Sequence, residues 1–217
     1  MAETKHKSGM NINAVIFDYG MVLCLPPTAA EMRHMADQFG VTAGDFPQLW
    51  DRNRGLYDRG DLTPREYWSR LAADAGASMD DEQLKQICRW DVEMWSHINS
   101  AMLEWLAALQ AAGIKAGLLS NMHAGMLEHA RRNFTWLKLF QHTTFSVEVR
   151  LIKPDPRIYQ HCLRGLGVPA SETLFVDDNE ANIRAAAELG IHAIRFHSVA
   201  QLRSQLQASG FGILPPV

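Results

Sequence analysis

Several polar side chains in this chain stand where an apolar run stops. Asp18 follows Val15-Ile16-Phe17, Ser120-Asn121 follows Gly117-Leu118-Leu119, and Asp177-Asp178 follows Leu174-Phe175-Val176. Lys153 stands just ahead of Pro154-Asp155-Pro156, where another periodic segment begins. Carboxylates, a hydroxyl, an amide and one ammonium brought to a single place suit a phosphate and a divalent metal ion. Hard oxygen ligands select magnesium, which keeps several waters and needs only one or two protein carboxylates. Lys153 would offset remaining negative charge and reach both a nucleophile and a phosphoryl oxygen. Adjacent acids at the end of one buried strand are costly unless a cation meets them.

The elements that must position these groups follow from periodicity. Residues 14–17, 115–119, 143–147, 173–176 and 193–196 read as short strands, mostly buried and apolar. Helical spacing marks 102–112, 122–133, 155–166, 179–189 and 199–208, with Gly113, Gly167 and Gly190 as stop signals. Strands alternating with helices predict an α/β fold, a doubly wound parallel sheet, with ligands at the carboxyl edge of the strands. Between residues 24 and 97 no strand pattern appears. Thr28 with Glu31, and Thr63-Pro64-Arg65-Glu66, are helix starts with reciprocal caps, and 80–95 is a further helix. The expected division is a loose tail at 1–11, a core from 12–23 and 98–217, and a helical insertion at 24–97.

Composition sets the outer bounds. A chain of 217 residues with 47% apolar and 21% charged side chains is an ordinary globular protein large enough for a core and an insertion. A net charge of -3 offers no basic face for nucleic acid. Cys24, Cys88 and Cys162 lack paired spacing, which points to a reducing compartment. No apolar run is long enough for a membrane span, and residues 1–9 lack the apolar stretch of a secretion signal. The expectation is a cytoplasmic protein, monomer or homodimer, with no membrane partner.

Taken together, Phe17-Asp18-Tyr19-Gly20-Met21-Val22, Leu119-Ser120-Asn121, Lys153-Pro154-Asp155-Pro156 and Phe175-Val176-Asp177-Asp178-Asn179 resemble the four motifs of the haloacid dehalogenase (HAD) superfamily. Order and spacing match from about residue 14 to 196. The resemblance implies a Rossmann-like core with a helical cap inserted after the first strand. It implies a magnesium-dependent phosphatase acting on a small phosphorylated metabolite, with sugar phosphates a candidate class. Asp18 would be the nucleophile, Ser120 and Asn121 would hold the phosphoryl group, and Lys153 would stabilise both. Asp178 would bind Mg2+ directly, with Asp177 behind it, and Asp18 and the Gly20 carbonyl would complete the ligands.

One position departs from the usual phosphatase pattern. A second aspartate commonly follows the nucleophile by two residues, where this chain has Gly20. That acid protonates the leaving oxygen and later activates water, so acid catalysis is what the change affects. A good leaving group needs no acid; alternatively a cap residue or a water supplies the proton. Two other functions compete with phosphatase: a 2-haloacid dehalogenase, attacking carbon without metal, and a degenerate member that binds phosphate or a partner without turnover. Asp177-Asp178 argues against the first, and intact Asp18, Lys153 and Asp178 against the second.

The remaining polar residues carry blander expectations. Ser120-Asn121 could also cap the helix that follows. Tyr19 either stacks on substrate or lines the core, and is assigned to the site because it follows the nucleophile; Asn182 is either an orienting partner of Asp178 or solvated. His123, the one histidine beside Ser120-Asn121, is expected on an exposed loop rather than in the site. The insertion's tryptophans are expected in its own core rather than as a substrate platform, and the arginines of residues 50–60 on a solvated helix face rather than at a substrate's polar end.

Overall fold

The computed structural model describes residues 11–211 and 214–217; the tail expected at 1–11 therefore lies, apart from its last residue, outside the described residues. Five strands form one parallel sheet: β1 (Ala14–Phe17), β2 (Lys115–Ser120), β3 (His142–Phe145), β4 (Thr173–Asp177) and β5 (His192–Arg195). Their spatial order is β3-β2-β1-β4-β5. Chain order runs outward from β1 to β3 on one side, then resumes at β4 on the other. The reversal lies between β1 and β4, and a crevice opens at the carboxyl ends of strands at such a point.

Register brings the polar strand ends level. Phe17 pairs with Leu118 on one side and Val176 on the other, so Asp18 follows immediately above that line. Strand side chains alternate between two apolar layers, as the period of two requires. Val15, Phe17, Leu118, Leu174 and Val176 face a cluster that includes Trp105, Leu106, Met126 and Leu202. Ala14, Ile16, Leu119 and Phe175 face Ile158, Tyr159, Cys162 and Ala186 on the opposite side. The sheet is buried on both faces, which its run of apolar residues anticipates.

Among the described residues six α-helices precede the second strand: α1 (Ala29–Asp37), α2 (Phe46–Asp51), α3 (Arg54–Asp58), α4 (Pro64–Asp74), α5 (Asp81–Met94) and α6 (Ser100–Ala111). Thr28 and Thr63 cap α1 and α4 through reciprocal bonds with Glu31 and Glu66, as their spacing predicts, and Asp80 and Gln83 do the same for α5. The first five gather Met35, Phe39, Phe46, Trp68, Leu71 and Ile87 into a separate apolar cluster. The chain leaves and rejoins the sheet layer through a single antiparallel bridge, Cys24 to Ile98, flanked by bonds from Leu25 N to His97 O and Asn99 N to Leu23 O.

The second half adds α7 (Ala124–Asn133), α8 (Ser146–Val149), α9 (Pro156–Leu166), α10 (Glu180–Glu188) and α11 (Val199–Ala208). The third strand corrects the expected span of 143–147: it ends at Phe145, and Ser146 and Val147 turn into α8. Ser146 is fully buried, and its hydroxyl accepts from Met122 N at 2.8 Å and donates to the Asp58 carbonyl at 2.6 Å. The Ser146 carbonyl accepts from Arg150 N at 2.8 Å, a turn bond in place of a ladder bond. No helix among the described residues is long and apolar enough to cross a membrane.

Candidate active site

The loop after β1 delivers the first carboxylate. Asp18 accepts a bond from Tyr19 N at 2.6 Å, and Cys24 N closes the loop on Tyr19 O at 2.8 Å. Within it Gly20 has ordinary dihedrals (φ -62°, ψ 139°), while Met21 takes φ 61°. That left-handed value is uncommon for a side-chain-bearing residue and folds the loop sharply.

Lys153 lies between two acids. Its Nζ is 2.7 Å from Asp18 Oδ1 and 2.6 Å from Asp177 Oδ2, with only 4% of the residue exposed. Burial works against the ammonium, but Asp177 and Asp18 outweigh it and hold the group above its ordinary range. Burial pushes the Asp18 carboxyl up to about 8, with Lys153 pulling the other way and Asp177 and Asp178 adding to the rise. Asp178 is also raised, by burial first and by Asp177 next.

The two adjacent acids differ in what they touch. Asp177 is fully buried and accepts from Lys153, from Asn179 N at 2.8 Å and from Asn182 Nδ2 at 3.0 and 3.1 Å. Asp178 is partly exposed, and its carboxylate bonds to no other described residue. Ligand oxygens of Asp18, Asp177 and Asp178 lie within 4.8 Å of one another. Three carboxylates against one ammonium leave two formal negative charges over, which a divalent oxygen-seeking cation matches in charge and ligand type.

Asn121 uses both ends of its amide on the main chain of Lys153, accepting from Lys153 N at 2.8 Å and donating to Lys153 O at 3.1 Å. The structure therefore gives its side chain a positioning task, while the Ser120 hydroxyl, at the tip of β2, makes a long bond of 3.4 Å to the Asn121 carbonyl that a phosphoryl oxygen could replace. Asn182 orients Asp177, whereas the sequence pointed to Asp178. The cap of α7 is His123, which accepts from Met126 N at 3.4 Å, and neither Ser120 nor Asn121 fills that place. Tyr19 borders the site, but its hydroxyl donates to the Trp95 carbonyl and its ring packs with Phe134 and Trp136.

These groups floor a cavity of about 220 Å³. Its roof comes from the helical insertion: Trp50, Arg54, Asp58 and Trp95, with Met122 and Met126 at the side. Trp50 and Trp95 stack with centroids 5.9 Å apart, and the Arg54 guanidinium sits 4.3 Å over the Trp50 ring. Arg54 is not on a solvated face. Its Nε donates to Asp58 Oδ1 at 3.0 Å and its Nη1 to both oxygens of Asp91 at 3.1 and 3.2 Å. Burial opposes the guanidinium charge, but Asp58 and Asp91 outweigh it and raise its affinity for the proton.

His123 corrects a second expectation. It is 1% exposed, stacks on Tyr57 at 4.6 Å, and places Nε2 3.1 Å from Asp91 Oδ2, out of line for a good hydrogen bond. Arg54 and His123 together hold the Asp91 carboxyl below its usual range despite complete burial. The missed signal was periodic: Ile87, Asp91 and Met94 share the buried face of α5, so an acid occupies an apolar position.

Comparison with known proteins agrees with this arrangement. The family model for haloacid dehalogenase-like hydrolases matches residues 12–190. (S)-2-haloacid dehalogenase 1 of Pseudomonas sp. strain CBS-3 is 34% identical over 198 residues, covering 87% of this chain and 86% of that protein. Acyl-CoA dehydrogenase family member 10 of Mus musculus is 27% identical over 216 residues, 94% of this chain, which spans only 20% of that protein's length. A HAD family enzyme of Bacteroides thetaiotaomicron, solved in complex with magnesium and inorganic phosphate, shares the fold with a TM-score of 0.70 at 24% identity, covering 86% of this chain and 95% of that one. The chain belongs to the haloacid dehalogenase-like hydrolases.

Proposed function

We propose that this protein is a magnesium-dependent phosphomonoester phosphatase acting on a small phosphorylated metabolite, a sugar phosphate among the candidates. The observation that carries the reading is the charge count at the sheet edge: three carboxylates within 4.8 Å and a single ammonium. Asp178, Asp18 and the Gly20 carbonyl would hold Mg2+, with Asp177 as the buried anchor. The bound ion would supply positive charge to the phosphoryl oxygens and lower the proton affinity of Asp18.

Asp18 attacks phosphorus and forms an aspartyl-phosphate that water hydrolyses. Lys153 keeps the carboxylate aimed and neutralises charge on the transferring group, while Ser120 donates to a phosphoryl oxygen. Asn121 fixes the Lys153 main chain, which sets where that ammonium points. Helices α1–α5 serve as a cap, and the cavity of about 220 Å³ favours a small substrate over a bulky one.

The dehalogenase relative supports a second reading, attack of Asp18 on the halogen-bearing carbon of a 2-haloacid, which needs no metal. The surplus of carboxylates over cations, which a metal ion would match, has no use in that reaction. Phosphate release from p-nitrophenyl phosphate and sugar phosphates, with Mg2+ or with EDTA, separates the two. Magnesium-dependent release lost in Asp18→Asn is the expected result. Halide release from 2-chloropropionate unaffected by EDTA would instead establish the dehalogenase.

A further inference from the structure

We propose that Asp58, reaching the cavity from the helical insertion, is the general acid and base that the loop after Asp18 lacks. The inference rests on the phosphatase reading above. In an in-line displacement the leaving oxygen departs opposite the attacking one. With Asp18 in the floor, that oxygen faces the roof, where Trp50, Arg54, Asp58 and Trp95 stand. Three acids line the cavity: Asp18, Asp178 and Asp58. Two are already committed to the nucleophile and the metal.

The other proton carriers nearby are engaged. The Tyr19 hydroxyl is bonded to the Trp95 carbonyl, and His123 uses Nδ1 on Met126 N while Nε2 faces Asp91. Asp58 differs from both. Arg54 Nε holds Oδ1 at 3.0 Å, and Oδ2 bonds to no other described residue. Its main chain is anchored to the core by the Ser146 hydroxyl at 2.6 Å, and the adjacent Tyr57 stacks on His123. The carboxyl is thus carried by the roof but fixed relative to the floor, as a catalytic acid must be.

The charged groups around Asp58 set its proton affinity. Burial raises it; Arg54 and His123 lower it; Asp91 raises it, and the net result is an affinity above that of an ordinary carboxyl. A carboxyl tuned upward keeps its proton closer to neutral pH, where a general acid needs it.

The chemistry balances. Asp18 forms a bond to phosphorus as the ester P–O bond breaks, and the leaving oxygen takes the Asp58 proton and departs as an alcohol. The Asp58 carboxylate then accepts a proton from water as its oxygen bonds to phosphorus. The P–O bond to Asp18 breaks, inorganic phosphate leaves, and Asp58 is protonated again.

Gly20 supplies the control. Its φ of -62° suits any residue, and a Cβ there would meet Trp95 Cζ3 at 3.6 Å, an ordinary contact. An aspartate can therefore be installed where other members of the family carry one. The test compares kcat/KM with Mg2+ for p-nitrophenyl phosphate, phenyl phosphate and glycerol phosphate. The proteins are wild type, Asp58→Asn, Gly20→Asp and the double variant.

Asp58→Asn keeps an oxygen for Arg54. It should lose roughly 10²–10⁴-fold on the alkyl ester, far less on p-nitrophenyl phosphate, and the double variant should regain most of that loss. An equal loss on all three esters would show a structural role and overturn the assignment while leaving the phosphatase intact. Should Asp58→Asn not fold, Gly20→Asp alone decides: an alkyl-to-aryl ratio raised by more than about tenfold would mean that wild type has no acid, and a smaller change supports Asp58. No turnover of any ester by wild type would overturn both readings.

Discussion

At the sheet edge Lys153 stands between Asp18 and Asp177, with Asp178 beside them; under the roof Arg54 stands between Asp58 and Asp91, with His123 closing the far side. Both groups are largely buried and both centre on one long cation. They differ in balance. The first has three carboxylates to one cation, and one of them, that of Asp178, bonds to no other described residue. The second has two carboxylates, both bonded by one guanidinium, with an imidazole packed against Asp91. A surplus that the fold leaves unmatched can be completed by a ligand, whereas a matched network is complete without one. The first group should therefore govern metal-dependent activity, and the second, apart from the proton carried by Asp58, stability.

The largest expected effect is on the first group. Asp18→Asn should remove turnover by on the order of 10⁴-fold or more, measured as phosphate release with Mg2+. Its metal-free thermal midpoint should stay level or rise, because one of three crowded carboxylates is gone. A large fall in midpoint would erase the distinction between the two regions.

Asp91→Asn probes the second group. Leaving Arg54 and His123 short of a buried partner should cost about 3–5 kcal/mol in urea unfolding, with kcat/KM kept within about tenfold. The sign of its pH dependence is set by the lowered Asp91 carboxyl. A carboxyl depressed on folding contributes stability above its unfolded value, 3.8, and loses it as pH falls through the folded one. The gap between wild type and Asp91→Asn should be full at neutral pH and narrow below 3.8; a constant gap would refute the ion-pair origin.

Magnesium sharpens the contrast at lower amplitude. Saturation to a hundredfold above Kd should stabilise wild type by about 2.7 kcal/mol and Asp91→Asn by the same increment. Asp178→Asn should lose most of it. Equal stabilisation of all three proteins would place the ion elsewhere. The smallest effect belongs to the link between the regions: Ser146→Ala, which deletes bonds to Met122 N and the Asp58 carbonyl, should cost about 1–3 kcal/mol in unfolding.

What the sequence revealed divides along the same line. Asp18, Ser120 and Asp177-Asp178 were legible because each follows or ends an apolar run that a parallel sheet gathers on one edge, and Lys153 because it stands just ahead of a helix start. Local pattern was enough. The roof network was not legible, since its members come from separate helices and pair only after the insertion folds. Arg54 resembled any arginine of a polar helix, and His123, next to a loop, resembled a surface residue. Asp91 alone left a trace, an acid in phase with Ile87 and Met94. Asn121 and Asn182 were found near the site, but which group each holds depended on side-chain geometry that spacing does not carry.

The bridge between Cys24 and Ile98 bears on how such a protein diversifies. The chain leaves the sheet layer and returns through neighbouring backbone positions, so strand register is indifferent to the length and sequence in between. Exchange of the intervening segment would leave the strand pairing that carries Asp18 and Asp177 intact. Selection can then work on the two parts at different rates, conserving the edge of the sheet while the roof is rebuilt for new molecules. If Asp58 supplies the proton, part of the reaction itself travels with that exchangeable segment.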